Sequence, residues 1–137
     1  MNMLQLLNDG ADKLRHRNID SSKLDSEILL SRVLNRKREN LLTQLDKKID
    51  QKSIDKFYKL ISRRLFYEPV AYILNEKEFW SKTFEVDSNT LIPRPETELL
   101  VGKLVSIFKK KRINILDIGT GSGCIVISLL SELCLLY

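Results

Sequence analysis

Asp117 and the run Gly119-Thr120-Gly121-Ser122-Gly123 combine the residue types best suited to hold a ligand in this 137-residue chain. Three of the chain's five glycines lie in that run. The apolar residues Ile113 to Ile118 before it read as a buried strand, and Cys124 to Leu130 after it read as a helix. Strand, glycine-rich turn and helix is how an open α/β sheet presents a cofactor site at the carboxyl end of its first strand. Without Cβ atoms the turn reaches dihedrals closed to other residues, and a ligand can approach the backbone. The N-terminus of the next helix offers unpaired N–H groups to a polar or anionic ligand. The Asp117 carboxylate could accept hydrogen bonds from a ligand amine or from the loop itself. The spacing is G-x-G-x-G, not the G-x-G-x-x-G of dinucleotide folds, and no Gly-Lys-Ser/Thr follows to make a phosphate-binding P-loop. A tight turn that binds nothing is the plainer reading and stays open at this point.

Leu91-Ile92-Pro93-Arg94-Pro95-Glu96-Thr97-Glu98 is the second constellation. Two prolines stiffen it, and Glu96 and Glu98 fall in the first turn of a helix, where acids oppose the dipole. Physics alone reads this segment as a rigid joint with a well-capped helix. That helix carries Leu100, Leu104 and Phe108 at helical spacing and runs into Lys109-Lys110-Lys111-Arg112, cations at the negative end of its dipole. Cys124 and Cys134, ten residues apart on one expected helix, would be about 15 Å apart, too far for a disulfide. No metal site is expected, because neither cysteine has partners at ligand spacing.

The elements upstream must position these residues. The first half reads as a small helical bundle. Leu4, Leu7, Ala11 and Leu14 lie at helical spacing beside Leu6, interrupted by Gly10, which costs a helix about 1 kcal/mol relative to Ala. Ser22-Lys23-Leu24-Asp25 resembles a capping box for a helix carrying Leu24, Ile28, Leu29 and Val33. A short helix is expected near Glu39 to Gln44. A longer one follows Asp50, with Ile54, Phe57, Tyr58, Ile61 and Leu65 on one face. Glu68-Pro69 ends that pattern. Strands are expected at Val70–Leu74, Glu78–Trp80 and Thr83–Val86, with turns at Asn75-Glu76-Lys77 and Ser81-Lys82.

Apolar content of 43% with 30% charged residues is that of a globular protein. No apolar run reaches the roughly 18 residues of a membrane span, and the N-terminus lacks the basic start of a secretory signal. A cytoplasmic protein is expected. The net charge of +5 is uneven: residues 1–67 carry fifteen Lys/Arg against nine Asp/Glu. Arg36-Lys37-Arg38 and Arg63-Arg64 fit an acidic or nucleic-acid-associated partner, or simply a solvated helical surface. No aromatic interleaving supports a single-strand binding groove.

Four segments in order resemble the HemK/PrmC-type release factor glutamine N5-methyltransferases. They are Arg64 to Ile73, Glu78-Phe79-Trp80, Leu91 to Glu98, and Asn114 to Gly123. The helical first half is similar to that family's recognition domain, and the likeness runs to about Glu132. The Leu-Ile-Pro-Arg-Pro-Glu-Thr-Glu segment is more specific than the glycine loop, which many methyltransferases share. The resemblance implies an α+β then α/β chain. Residues 1–67 would be a helical release-factor recognition domain, 68–90 a β-hairpin linker, and 91–137 the start of a Rossmann-like methyltransferase domain. It implies S-adenosyl-L-methionine as cofactor, held by Asp117, Gly119, Thr120, Gly121, Ser122 and Gly123, with Pro93, Glu96 and Thr97 alongside. The substrate would be the glutamine of the Gly-Gly-Gln loop of a peptide chain release factor. A monomer without direct nucleic-acid or membrane contact is expected.

The chain departs from the family in two places. Asn75 follows Leu74 where the family usually has Gly, and Asn tolerates left-handed geometry better than most residues. The acidic residue of the second strand and the Asn-Pro-Pro-Tyr that grips the substrate amide are absent, the prolines being Pro69, Pro93 and Pro95 alone. The expectation is a truncated, catalytically inactive member, with no catalytic residue of its own and an incomplete sheet after residue 68. A release-factor-binding module without catalysis, or a methyltransferase acting on another amine or amide, are the competing readings.

Overall fold

The computed structural model describes residues 1–109 and 111–133. The chain divides into two compact units, Met1–Leu74 and Asn75–Tyr137.

The first unit is helical: α1 (Met3–Arg15), α2 (Ser22–Val33), α3 (Arg38–Leu42), α4 (Gln51–Leu65) and α5 (Val70–Leu74). Its core joins Leu6, Leu7 and Leu14 of α1 with Leu29 and Leu30 of α2, Leu41 of α3, and Phe57 and Ile61 of α4. Helix α1 starts with a capping box the sequence reading missed. Asn2 Oδ1 accepts from the Gln5 N–H at 2.9 Å, and Gln5 Oε1 accepts from the Asn2 N–H at 3.0 Å. Asp50 caps α4 by accepting from the Ser53 N–H at 2.9 Å. At Gly10 helix α1 packs directly against a ring of α4: a Cβ there would lie 2.6 Å from Phe57 Cζ. The helix accepts a poor former because only a hydrogen fits against the ring.

Two expectations for this unit are corrected. Ser22 does not cap α2. The residue before the helix is Ser21, which makes no hydrogen bond to the helix backbone. Its hydroxyl donates instead to Asp25 Oδ2 at 2.8 Å, and Asp25 is buried against Arg64. The inward face of α2 is accordingly Asp25, Ser26, Leu29 and Leu30, while Leu24 is exposed. Val70–Leu74 is a helix, not a strand. The Pro69 carbonyl accepts from the Tyr72 and Ile73 N–H groups, starting the turn, and Ile73 enters the core. The carbonyls at its far end are taken by arginines: Arg63 Nη1 donates to Ile73 O and Arg32 Nη2 to Leu74 O, both at 3.2 Å. A five-residue apolar run carries too little periodicity to separate helix from strand.

The second unit holds an antiparallel hairpin, β1 (Glu76–Phe79) with β2 (Lys82–Glu85), and two helices, α6 (Thr97–Phe108) and α7 (Cys124–Leu133). Asn75 enters the hairpin at φ 57°, the left-handed geometry expected of it. Register pairs Phe79 with Lys82, so the turn is Trp80-Ser81, one residue earlier than expected, and Asn75-Glu76-Lys77 is not a turn because Glu76 and Lys77 are in the ladder. Both turn residues have positive φ, 51° and 55°. That is the backbone a two-residue hairpin favours, at a cost for non-glycine residues. Trp80 is held there from both ends: its N–H donates to Glu98 Oε1 at 2.7 Å and its indole N–H to Glu132 Oε1 at 2.9 Å.

Phe79, Phe84, Val101, Cys124, Leu129 and Leu133 form the second core. On α6 the fully buried residue is Val101; Leu100, expected inward, is exposed, whereas Leu104 and Phe108 pack against this core. Residues 113–118 are not a buried strand. Among the described residues no strand pairs with them, and Leu116 and Ile118 are 85% and 87% exposed. A strand forms only with a neighbour to share its ladder, which apolar sequence cannot supply. Cys124 is buried; Cys134 lies outside the described residues.

Candidate functional site

The glycine turn is formed by its own hydrogen bonds. The Thr120 hydroxyl donates to the Asp117 carbonyl at 3.0 Å, the Gly123 N–H to the Thr120 carbonyl at 2.9 Å, and the Ile127 N–H to the Gly123 carbonyl at 3.0 Å. The last bond joins the turn to the first turn of α7. Gly119, Gly121 and Gly123 have φ of 78°, 57° and 78°. This left-handed region favours a residue without Cβ, and at Gly123 an added Cβ would also press on Ile127 Cδ1 at 3.0 Å. Gly119 and Gly121 are exposed, so the backbone they carry is open to a ligand.

Two buried side-chain oxygens in this turn, Asp117 Oδ2 and Ser122 Oγ, have no hydrogen-bond partner among the described residues. Buried polar atoms are nearly always hydrogen-bonded, and exceptions need a reason. A carboxylate oxygen and a hydroxyl, both unpaired beside three left-handed glycines, form a polar set suited to an amine or hydroxyl donor. Asp117 is therefore not the cap of its own loop: Thr120 bonds the Asp117 carbonyl, not its carboxylate. Ser128 Oγ is a third such atom, one turn into α7, in a side chain with no exposure. The sequence reading missed it. Its one signal was a polar residue inside the otherwise apolar run from Cys124 to Leu130.

Pro93 is buried, Glu96 exposed and Thr97 half-buried. The backbone hydrogen bonds here close on the segment and the first turn of α6, while the Glu98 side chain reaches out to the Trp80 N–H. The Arg94, Pro95 and Glu96 carbonyls accept from the Thr97, Glu98 and Leu99 N–H groups at 3.0, 3.0 and 3.2 Å. Asp117, Thr120, Ser122 and the three glycines are thus assembled in one loop. Pro93, Glu96 and Thr97 sit together at the start of α6, with no hydrogen bond to that loop among the described residues.

Residues 5–74 match the PrmC N-terminal domain family. The chain belongs to that family. The match ends at Leu74, the last residue of α5 and of the first compact unit. The PrmC-family chain is also similar to longer proteins. It is 43% identical over 129 residues to the release factor glutamine methyltransferase of Haemophilus influenzae, covering 90% of this chain and 44% of that protein. It is 40% identical over 131 residues to the enzyme of that name from Buchnera aphidicola, covering 96% and 47%. It is 43% identical over 148 residues to the bifunctional methyltransferase of Rickettsia typhi, covering 94% and 29%. The chain thus spans less than half the length of each of these relatives. The resemblance carried by Arg64 to Ile73, Glu78 to Trp80, Leu91 to Glu98 and Asn114 to Gly123 is matched by this similarity. Among the described residues, no helix is long and apolar enough to cross a membrane.

Proposed function

We propose that this PrmC-family chain is part of an S-adenosyl-L-methionine-dependent methyltransferase acting on the glutamine of the Gly-Gly-Gln loop of a peptide chain release factor. The observation that carries the reading is the unpartnered Asp117 Oδ2, buried beside three glycines of positive φ. The names of the relatives support the substrate.

The division of labour follows the family likeness. Residues 1–67 recognise the release factor, 68–90 link, and 91–137 begin a Rossmann-like methyltransferase domain. The chemistry at the loop fits the cofactor. Asp117 would accept from its ammonium or hydroxyl groups, Ser122 would serve as a second polar contact, and the backbone at Gly119, Thr120, Gly121 and Gly123 would lie against it. Pro93, Glu96 and Thr97 would line the pocket's flank. When bound, the cofactor supplies an electrophilic sulfonium methyl group. A glutamine amide nitrogen is a weak nucleophile and must be oriented by hydrogen bonds to its N–H groups. The chain contains no Asn-Pro-Pro-Tyr to do so. We therefore expect these 137 residues to bind without turnover, as a monomer in the cytoplasm that touches neither membrane nor nucleic acid.

Isothermal titration of S-adenosyl-L-methionine into the whole chain tests the reading. Saturable binding that Asp117→Ala weakens by roughly tenfold or more, the loss of one charged hydrogen bond, is expected. Absence of binding, or equal binding by the variant, would remove the loop from the cofactor site.

A further inference from the structure

The first unit carries a cationic concavity that its core does not require. A hollow of about 150 Å³ has a floor of Met3, Leu34 and Ile49 and a rim that includes Arg36, Lys47 and Lys48. Arg36 and Lys47 are distant in sequence and meet because the segment after α3 folds back on the start of α1. The Met3 N–H donates to the Lys47 carbonyl at 2.9 Å, and the Ile49 N–H to the Met1 carbonyl at 3.2 Å. Arg36 Nη1 donates to Gln44 Oε1 at 2.7 Å, which orients the guanidinium without neutralising it. Lys47 and Lys48 have no carboxylate partner among the described residues. The one acid lining the hollow, Asp50, accepts from both the N–H and the hydroxyl of Ser53, so its oxygens face its own helix start.

A groove of about 190 Å³, lined by leucines and also by Asn8, Lys23 and Glu27, whose carboxylate pairs with Arg38 at 3.7 Å, adjoins the same connecting segment. Leu7 and Leu45 line it beside Leu4 and Leu42, which are both 41% exposed. Leu45 and Lys47 are two residues apart, so the groove and the rim are within about 7 Å along the chain. Uncompensated cations next to exposed leucines complement acids interspersed with apolar side chains.

We propose that the connection between α3 and α4 is a docking surface for an acidic segment of a protein partner, with its carboxylates on Arg36, Lys47 and Lys48 and its apolar side chains against Leu4 and Leu42. A nucleic-acid strand fits less well. It would need stacking platforms or a long phosphate track, and neither hollow is lined by an aromatic residue. The surface gives a location to the recognition role proposed above; it rests on that role only for the partner's identity.

The test uses the whole chain, ¹⁵N-labelled, titrated with a short peptide that carries several glutamates around two leucines. Amide shifts centred on Arg36, Lys47, Lys48 and Ile49 are expected, with affinity that falls as salt rises. Lys47→Glu with Lys48→Glu should weaken binding by roughly tenfold, and Lys47→Gln with Lys48→Gln by an intermediate factor, with unchanged helical circular dichroism. Shifts centred elsewhere, equal binding by the folded variants, or tighter binding of an oligouridylate of matched charge would each overturn the proposal. The same variants are then titrated with a release factor. Wild-type binding lost in the charge-reversed chain identifies the partner. Peptide binding without release-factor binding keeps the surface and refutes the partner.

Discussion

Replacing Gly10 by Ala sets helix propensity against packing. Propensity alone favours Ala inside α1 by about 1 kcal/mol. The added Cβ would sit 2.6 Å from Phe57 Cζ, 2.9 Å from Phe57 Cε1 and 2.9 Å from Ser26 Oγ, so α1 or the ring must move by several tenths of an ångström. Phe57 has no exposed surface into which to retreat, and overpacking a core costs about 1–3 kcal/mol. Ser26 Oγ donates to the Leu7 carbonyl at 2.8 Å, and pushing this buried hydroxyl off its acceptor costs about 1–3 kcal/mol more. The two penalties together exceed the gain, leaving a net loss of about 2 kcal/mol. For a unit of this size that is a fall in Tm of roughly 10 °C. The assay is thermal unfolding of the whole chain followed by circular dichroism at the helical minimum. A Gly10→Ala chain that melts at or above the wild-type temperature would refute the packing explanation. Phe57→Leu makes room for the Cβ, so the double variant should be more stable than the sum of the single losses requires.

Arg64 and Asp25 offer a second perturbation. Arg64 Nε donates to Asp25 Oδ2 at 2.7 Å, with the side chains only 17% and 7% exposed. Arg64→Met strands the carboxylate and should cost about 3 kcal/mol in urea unfolding, while Asp25→Leu with Arg64→Met should recover part of that loss; a single variant within 1 kcal/mol of wild type would contradict this. Stability should also fall with acid. Lys13 and then Tyr58 hold the Asp9 carboxyl below its ordinary 3.8, and Arg63 holds Glu68 below its ordinary 4.5. Depressed carboxyls contribute stability that is present above their unfolded values and lost as pH falls through the folded ones, so the urea midpoint should drop below about pH 4.5. Burial and the Asp9 hydrogen bond push the Tyr58 hydroxyl up to about 12, so its contribution is full below pH 10 and lost between about 10 and 12. Tyr58→Phe should flatten the alkaline limb; an unchanged limb would mean that another group produces it.

Much of the chain was legible because it is local. Asp50 caps the helix after it by bonding a backbone N–H three residues on, and Ile54, Phe57 and Ile61 lie inward because helical spacing puts them on one face. The glycine turn has positive φ at all three glycines, a property of the residue type that needs no distant partner. Asn75 is left-handed for the same reason.

The rest depended on groups far apart in the sequence. Val70–Leu74 is a helix because Arg32 and Arg63 supply donors for its last carbonyls, from 42 and 10 residues away. Gly10 is explained by a phenylalanine ring on another helix, where propensity alone marks it only as a weak point. Trp80 occupies a left-handed turn because Glu98 and Glu132 accept from both its N–H groups. Ile113–Ile118 has the composition of a buried strand, yet a strand is defined by the neighbour that shares its hydrogen bonds. Side-chain type and periodicity, written in the sequence, determined which faces are apolar and which turns need glycine. Only the tertiary structure decided which polar groups find partners, because a hydrogen bond or an ion pair is a relation between two places in the chain.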